Sequence, residues 1–285
     1  MSKIIVTHMN PDLDAMTAVW LLKRFGGEEW EEAAVKFIPA GQTYKDKKVD
    51  SDPMVLHLDV GLGKFDHHQV NDETVCAATL VFDYLIKKSK QFDNNEALKR
   101  LVAVVLAFDW AEHYRWPDIK HDKTSFLFFE HGIIEGWQRL YRNQSDKHLE
   151  MGLPILDGIY ENLKSKVEAE AVIKSEALKF KTRWGKGVGA ETDIFGFLAV
   201  AQAQGYPVVV TKNPKSGHVR IHAFDFDKMK IDLTSVWEIL KHKDPAATWF
   251  LHAGKKLLLN GSRANPNMIP TNLSLKEVIE VLKNC

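Results

Sequence analysis

Two short β-type runs each carry a candidate reactive residue at or near their end, and each is followed by helical sequence. Ile4-Ile5-Val6 leads to His8, and Asp12 to Phe25 (DLDAMTAVWLLKRF) then carries apolar residues at helical spacing. Met54 to Val60 (MVLHLDV) reads as a second strand containing Asp59, before a turn at Gly61 and Gly63. Helices are expected from about Thr74 to Lys88 and from Asn95 to Trp110. Strands separated by helices predict βαβ units around a parallel sheet. In such sheets the reactive groups gather at the carboxyl edge, where His8 and Asp59 are expected.

The second half reads differently. From Lys147 to Trp184 the pattern is mostly helical and charged, broken early by Gly152 and Pro154, and Gly185, Gly187 and Gly189 then mark a boundary region. A helix is expected near Ile194–Gln204, then a strand at Tyr206–Thr211, a turn at Asn213–Gly217 and a return strand at His218–Phe224. A helix at Leu233–His242 precedes two strand-like runs, Thr248–Ala253 and Lys256–Asn260. A last helix at Leu273–Lys283 has Asn272 or Ser274 as its cap. The expected class is α/β, with an N-terminal parallel-sheet domain over 1–150, a helical linker over 151–188 and a smaller C-terminal α+β domain over 189–285.

Three segments concentrate metal-ligand residue types: His8-Met-Asn-Pro-Asp12-Leu-Asp14, then Asp59, then Asp66-His67-His68. Asp12 and Asp14 fall in the first turn of a helix, where acidic groups act as caps, but capping leaves the upstream His8 unexplained. Asp59 lies in an apolar run, where a lone carboxylate is costly unless it is paired or bound to a metal. Adjacent histidines after an Asp allow one ring to ligate while the other orients or donates to an oxyanion.

The order and spacing of these three motifs, over roughly the first quarter of the chain, resemble the DHH phosphoesterase superfamily. Its members include manganese-dependent pyrophosphatases, single-strand exonucleases, oligoribonucleases and cyclic-dinucleotide phosphodiesterases. The resemblance implies a DHH-type catalytic domain, a second domain that grips substrate, and a site in the cleft between them. It also implies a further Asp from a later helix, for which Asp109 in AFDWAEH is the best candidate, ahead of His113 and Asp83. Carried over, His8, Asp12 and Asp59 would hold one divalent cation, and Asp14, Asp59, His67 and Asp109 a second, with Asp59 shared. Four carboxylates balance two dications in charge, and mixed carboxylate and imidazole donors suit Mn²⁺, with Mg²⁺ or Co²⁺ compatible. Such a pair clamps the attacking and leaving oxygens of an in-line displacement. The catalytic roles then fall to His68, donating to phosphate, and to Asp66, supporting the histidines. His252, Gly261 and Arg263 are the nearest equivalents of the family's substrate-gripping segment, although the chain lacks its consecutive glycines.

The expected activity is therefore two-metal hydrolysis of a phosphoester, most simply a phosphodiester in a short oligonucleotide or nucleotide. The alternatives are a hydrolase of pyrophosphate or polyphosphate and a non-catalytic metal- or nucleotide-binding module. The second domain has no dense Lys/Arg cluster suited to pyrophosphate alone, and 8 Trp and 15 Phe permit base stacking. The expected partner is a phosphorylated small molecule or a short single-stranded nucleic acid; a homodimer is compatible. Lys+Arg and Asp+Glu are equal at 38, which excludes a broad basic field steering a polyanion. Cys76 and Cys285 make neither a disulfide framework nor a zinc pattern, and the N-terminus lacks the apolar core of a signal peptide. No apolar run reaches membrane-spanning length. A cytoplasmic location is the expectation.

Overall fold

The computed structural model describes residues 3–116, 129–226, 230–262 and 265–285. The chain divides into two compact units, Met1–Leu163 and Lys164–Cys285. Among the described residues no helix is long and apolar enough to cross a membrane.

The first unit is built on a three-stranded parallel sheet of β1 (Ile4–His8), β2 (Ala34–Ile38) and β3 (Val55–His57), in the order β2-β1-β3. As the middle strand, β1 is covered on both faces, and Ile5 and Val6 are fully buried, which is why its sequence is a continuous apolar run. After β1 comes α1 (Leu13–Phe25), in which every residue from Leu13 to Leu22 is buried. A helix that is apolar nearly all round belongs in the middle of a unit. The 4-residue α2 (Glu28–Glu31) precedes β2, and α3 (Ala77–Lys88), α4 (Glu96–Asp109) and α5 (Glu130–Leu140) follow β3. The long α6 (Ser145–Ser175) begins in this unit and ends in the second.

Several sequence expectations need correction here. β2 was not foreseen, because AVKFI is an exposed edge strand with little apolar alternation. The Met54–Val60 run is a strand only over Val55–His57, and Asp59 leaves extended geometry with φ +57. Gly152 and Pro154 do not break α6. A side chain at Gly152 would come within 2.6 Å of the Met16 sulfur, so the glycine there permits close helix packing.

The second unit holds a six-stranded mixed sheet in the order β4-β5-β6-β7-β9-β8. Its strands are β4 (Leu178–Thr182), β5 (Gly185–Glu191), β6 (Val208–Lys212), β7 (Val219–Ala223), β8 (Phe250–Leu251) and β9 (Leu257–Leu259). The helices are α7 (Phe197–Ala203), α8 (Thr234–Lys243) and α9 (Leu275–Asn284). One face of the sheet packs through Val208, Val210, Val219 and Ile221 against α8 and α9. The other packs through Val188, Ala190 and Val209 against the end of α6 and α7.

The helical reading of the stretch to Trp184, and of the glycines as a boundary, gives way to the antiparallel pair β4·β5. Leu178-Lys-Phe180-Lys-Thr182 has a period of two, which the charge density around it obscures. Gly187 and Gly189 share one face of β5, where a Cβ would meet the Phe180 ring at 2.3 Å and Val210 Cγ1 at 2.7 Å. The glycines are packing positions inside a strand. The foreseen turn is present: Asn213 Oδ1 accepts from the amides of Lys215 and Ser216, and Gly217 takes φ +71. A reciprocal Ser274–Glu277 capping box starts α9.

Candidate metal centre

At the carboxyl end of the parallel sheet, β1 delivers His8, and the backbone turn after β3 delivers Asp59. The left-handed conformation of Asp59 is locked by its N–H donating to the Phe65 carbonyl at 2.9 Å. Asp12 is the N-cap of α1 and accepts from the Ala15 amide at 3.0 Å. Asp14, in the first turn of α1, is buried and accepts from the first amides of α3, Ala77 N–H at 2.7 Å and Ala78 N–H at 2.8 Å. The positive end of α3 thus seats this carboxylate. Asp109 is the last residue of α4, and the next residue, Trp110, ties that helix end to the loop before α3 through its indole N–H on the Val75 carbonyl.

These groups converge at separations that are not hydrogen bonds. His67 Nε2 stands 3.5 Å from Asp59 Oδ1, 3.5 Å from Asp109 Oδ2 and 3.8 Å from Asp14 Oδ2. His8 Nε2 stands 3.3 Å from Asp59 Oδ2 and 3.9 Å from Asp12 Oδ1. Donor atoms about 2.0–2.2 Å from a shared cation, at tetrahedral or octahedral angles, lie roughly 3.0–3.6 Å apart. Asp59 turns one oxygen toward His8 and the other toward His67. Both Asp59 Oδ1 and His67 Nε2 are buried without a hydrogen-bond partner, which the protein alone leaves as an uncompensated cost. The residues therefore fit divalent cations.

Electrostatics agrees. Burial, then the charges of Asp12 and Asp59, pushes Asp109 up to about 7. Burial, then the charges of Asp59, Asp109 and Asp12, holds Asp14 well above the usual carboxylate range. For His8 the largest influence, burial, favours the neutral ring, but the facing Asp59 carboxylate and the Asp12 charge outweigh it and raise it to about 9. Carboxylates crowded in this way call for positive charge.

The structure thus brings together His8, Asp12, Asp14, Asp59, His67 and Asp109. The alternatives Asp83, exposed on α3, and His113, buried and stacked on Phe108 at 4.4 Å, join none of the metal-capable groups found among the described residues. Asp66 turns the other way. It accepts from the Leu62 amide at 2.7 Å, the His68 amide at 3.1 Å and His68 Nδ1 at 2.8 Å. Burial opposes its ionisation, yet these donors, the His68 ring first, hold it below the usual range. Because Asp66 accepts at Nδ1, that nitrogen carries the proton and His68 presents Nε2, on a side chain that is 60% exposed. His68 Nδ1 also lies 3.6 Å from Asp59 Oδ1.

Sequence reasoning set Cys76 aside, yet its buried sulfur groups with Asp14 and Asp109. Cys76 is the N-cap of the helix whose first amides hold Asp14, a placement that only the fold reveals. Two further supports were not legible: Ser145 Oγ accepts from the Asn10 amide at 2.9 Å, and Gln138 donates to the carbonyls of Asn10 and Pro11. In the second unit, His252 sits in the β8–β9 turn, its Nδ1 accepting from the Gly254 amide at 3.1 Å. Gly261 lines a cavity that does not include His252. Arg263 lies outside the described residues.

An α/β chain with a buried His/Asp cluster fit for divalent cations is the class these observations define. No protein-family model and no curated protein matches the chain. Solved structures similar to it include a pGpG-specific phosphodiesterase from Vibrio cholerae, at 13% identity and a TM-score of 0.28, covering 90% of this chain and 92% of that one. Another is an exopolyphosphatase-related protein from Bacteroides fragilis, at 13% identity and a TM-score of 0.26, covering 99% of this chain and 91% of that one.

Proposed function

We propose that the protein is a two-metal phosphoesterase acting on a phosphodiester in a short oligonucleotide or nucleotide. The observation that carries this reading is the pair of buried, unpartnered atoms, Asp59 Oδ1 and His67 Nε2, inside a ring of carboxylates spaced for cations. His8, Asp12 and Asp59 would hold one cation, and Asp14, Asp59, His67 and Asp109 the other; Mn²⁺ suits this donor set best. The cations would supply Lewis acidity toward a phosphoryl oxygen and a nucleophile at neutral pH. The exposed His68, with Nδ1 held by Asp66, directs Nε2 outward; the nearby carboxylates favour the protonated ring, whose Nε2–H can donate to a phosphate oxygen as charge develops. Asp66 keeps that ring in one tautomer and orientation.

The test is Mn²⁺-dependent hydrolysis across pyrophosphate, polyphosphate, cyclic dinucleotides and RNA or DNA of 2 to about 24 nucleotides. Turnover of di- to oligonucleotides, absent in Asp59→Asn, is expected. Turnover confined to pyrophosphate or polyphosphate would refute the diester assignment. Absence of bound metal would refute the reading as a whole.

A further inference from the structure

The ligand set carried over by resemblance holds only oxygen and nitrogen, whereas the fold puts a sulfur beside it. Cys76 is fully buried, and its Sγ groups with a carboxylate oxygen of Asp14 and one of Asp109, all within 4.8 Å of one another. A cation bonded at about 2.3 Å to sulfur and ~2.1 Å to oxygen holds such donors up to ~4.4 Å apart, so only a small shift is needed to close the ring.

Local structure explains the placement. Cys76 occupies the N-cap of α3, where Ser, Thr, Asp or Asn ordinarily caps with an oxygen. Thr79 secures the Cys76 backbone: its hydroxyl accepts from the Cys76 amide at 2.9 Å and donates to the Cys76 carbonyl at 2.8 Å. The next two amides, of Ala77 and Ala78, hold Asp14. One helix end therefore fixes the thiol and the carboxylate side by side.

A buried cysteine most often behaves as a small, inert hydrophobe. An independent neighbour separates this one. His67 Nε2, buried and without a hydrogen-bond partner, faces the same two carboxylates, 3.5 Å from Asp109 Oδ2 and 3.8 Å from Asp14 Oδ2. Nitrogen and sulfur thus meet one pair of carboxylates.

We propose that Cys76 Sγ is a further ligand at the cation position of Asp14, His67 and Asp109, and that it turns this position toward thiophilic dications such as Co²⁺ or Zn²⁺ relative to Mn²⁺. Thiolate is a soft donor, and soft donors discriminate in that direction. In the metal-free chain, burial and the Asp14 carboxylate keep the sulfur protonated. Coordination releases that proton to solvent as the sulfur–metal bond forms, as it does for any ligating thiol. The inference rests on the two-metal reading and adds a donor that the resemblance does not supply.

The test is anaerobic titration of the full chain with Co²⁺, followed by near-ultraviolet and visible absorption, with bound ions counted by equilibrium dialysis. A thiolate-to-cobalt charge-transfer band is expected. It should vanish in Cys76→Ser, whose hydroxyl suits the N-cap, and persist in Cys285→Ser, which removes the chain's other cysteine. Cys76→Ser should also weaken Co²⁺ binding at least about tenfold, a loss that removal of groups outside the ligand set already reaches, and weaken Mn²⁺ binding less. Bound Co²⁺ without the band, or a band that survives in Cys76→Ser, would overturn the sulfur ligand and leave the two-metal reading standing. Equal losses of Co²⁺ and Mn²⁺ affinity in Cys76→Ser would overturn the selectivity. No bound Co²⁺ would overturn both the sulfur ligand and the reading beneath it.

Discussion

The two units deploy their polar side chains in opposite ways. In Met1–Leu163, carboxylates and imidazoles are buried together at a sheet edge, 3.3–3.9 Å apart, with two atoms left unpartnered. In Lys164–Cys285 the buried Asp, Asn and Thr side chains are satisfied: Asp244 accepts from Thr271 Oγ1 at 2.6 Å, and Asn260 Nδ2 donates to the carbonyls of Thr248 and Ile269. Arg220, for which no carboxylate partner is found among the described residues, opens instead into a cavity. A unit that leaves buried acids unsatisfied holds a cost that a bound cation relieves. A unit that satisfies them internally is free to keep an open site for a larger ligand.

That contrast can be broken most forcefully at Asp59. Asp59→Asn should lower Mn²⁺-dependent turnover by more than ~10³-fold, measured on whichever diester the wild-type chain hydrolyses, while the melting of the second unit is preserved. A smaller effect is expected at His68. His68→Ala should lower turnover by ~10²–10³ and leave the bound metal count unchanged, because the ring is exposed and tethered to Asp66. Equal loss of metal from His68→Ala and His67→Ala would erase the division between those neighbours.

The contrast sharpens with a mutation in the other unit. Gly189→Val forces a branched side chain against Val210 and Ile279 and should cost about 1–3 kcal/mol in denaturant unfolding, with metal binding intact. The pH dependence of the metal-free chain is a gentler probe. Asp109, raised to about 7, and Asp14, raised well above its usual range, retain protons in the folded chain that the unfolded chain releases near pH 4. A raised carboxylate contributes stability fully below its unfolded value and loses it as pH rises through its folded value. The metal-free chain should therefore melt lower at pH 8 than at pH 5, and saturating Mn²⁺ should abolish or reverse that order, since the cations replace the protons.

The sequence made the metal cluster legible because its residues lie in three short segments at the ends of strand-like runs. His8, Asp59 and Asp66-His67-His68 could be read from local pattern, whereas Asp109, at the end of α4, was reached only through the family resemblance. Cys76, Ser145 and Gln138 could not, because their contacts with residues 10–14 and Asp109 span from 33 to 135 residues along the chain and only folding brings them together. The fold followed the same rule. Central, apolar β1 and α1 announce themselves, whereas the edge strand β2 and the lysine-rich β4 are half exposed and look like surface. Gly187 and Gly189 misled for a physical reason: a glycine that admits a neighbour's ring inside a sheet carries the same letter as one that turns the chain.

The central claim, that Asp59 is shared by two cations, is tested most directly by counting Mn²⁺ per chain in equilibrium dialysis for the wild type and for Asp59→Asn. The account predicts two ions in the wild type and weakened binding of both in the variant. Two ions held with unchanged affinity by Asp59→Asn, or none held by the wild type, would contradict it.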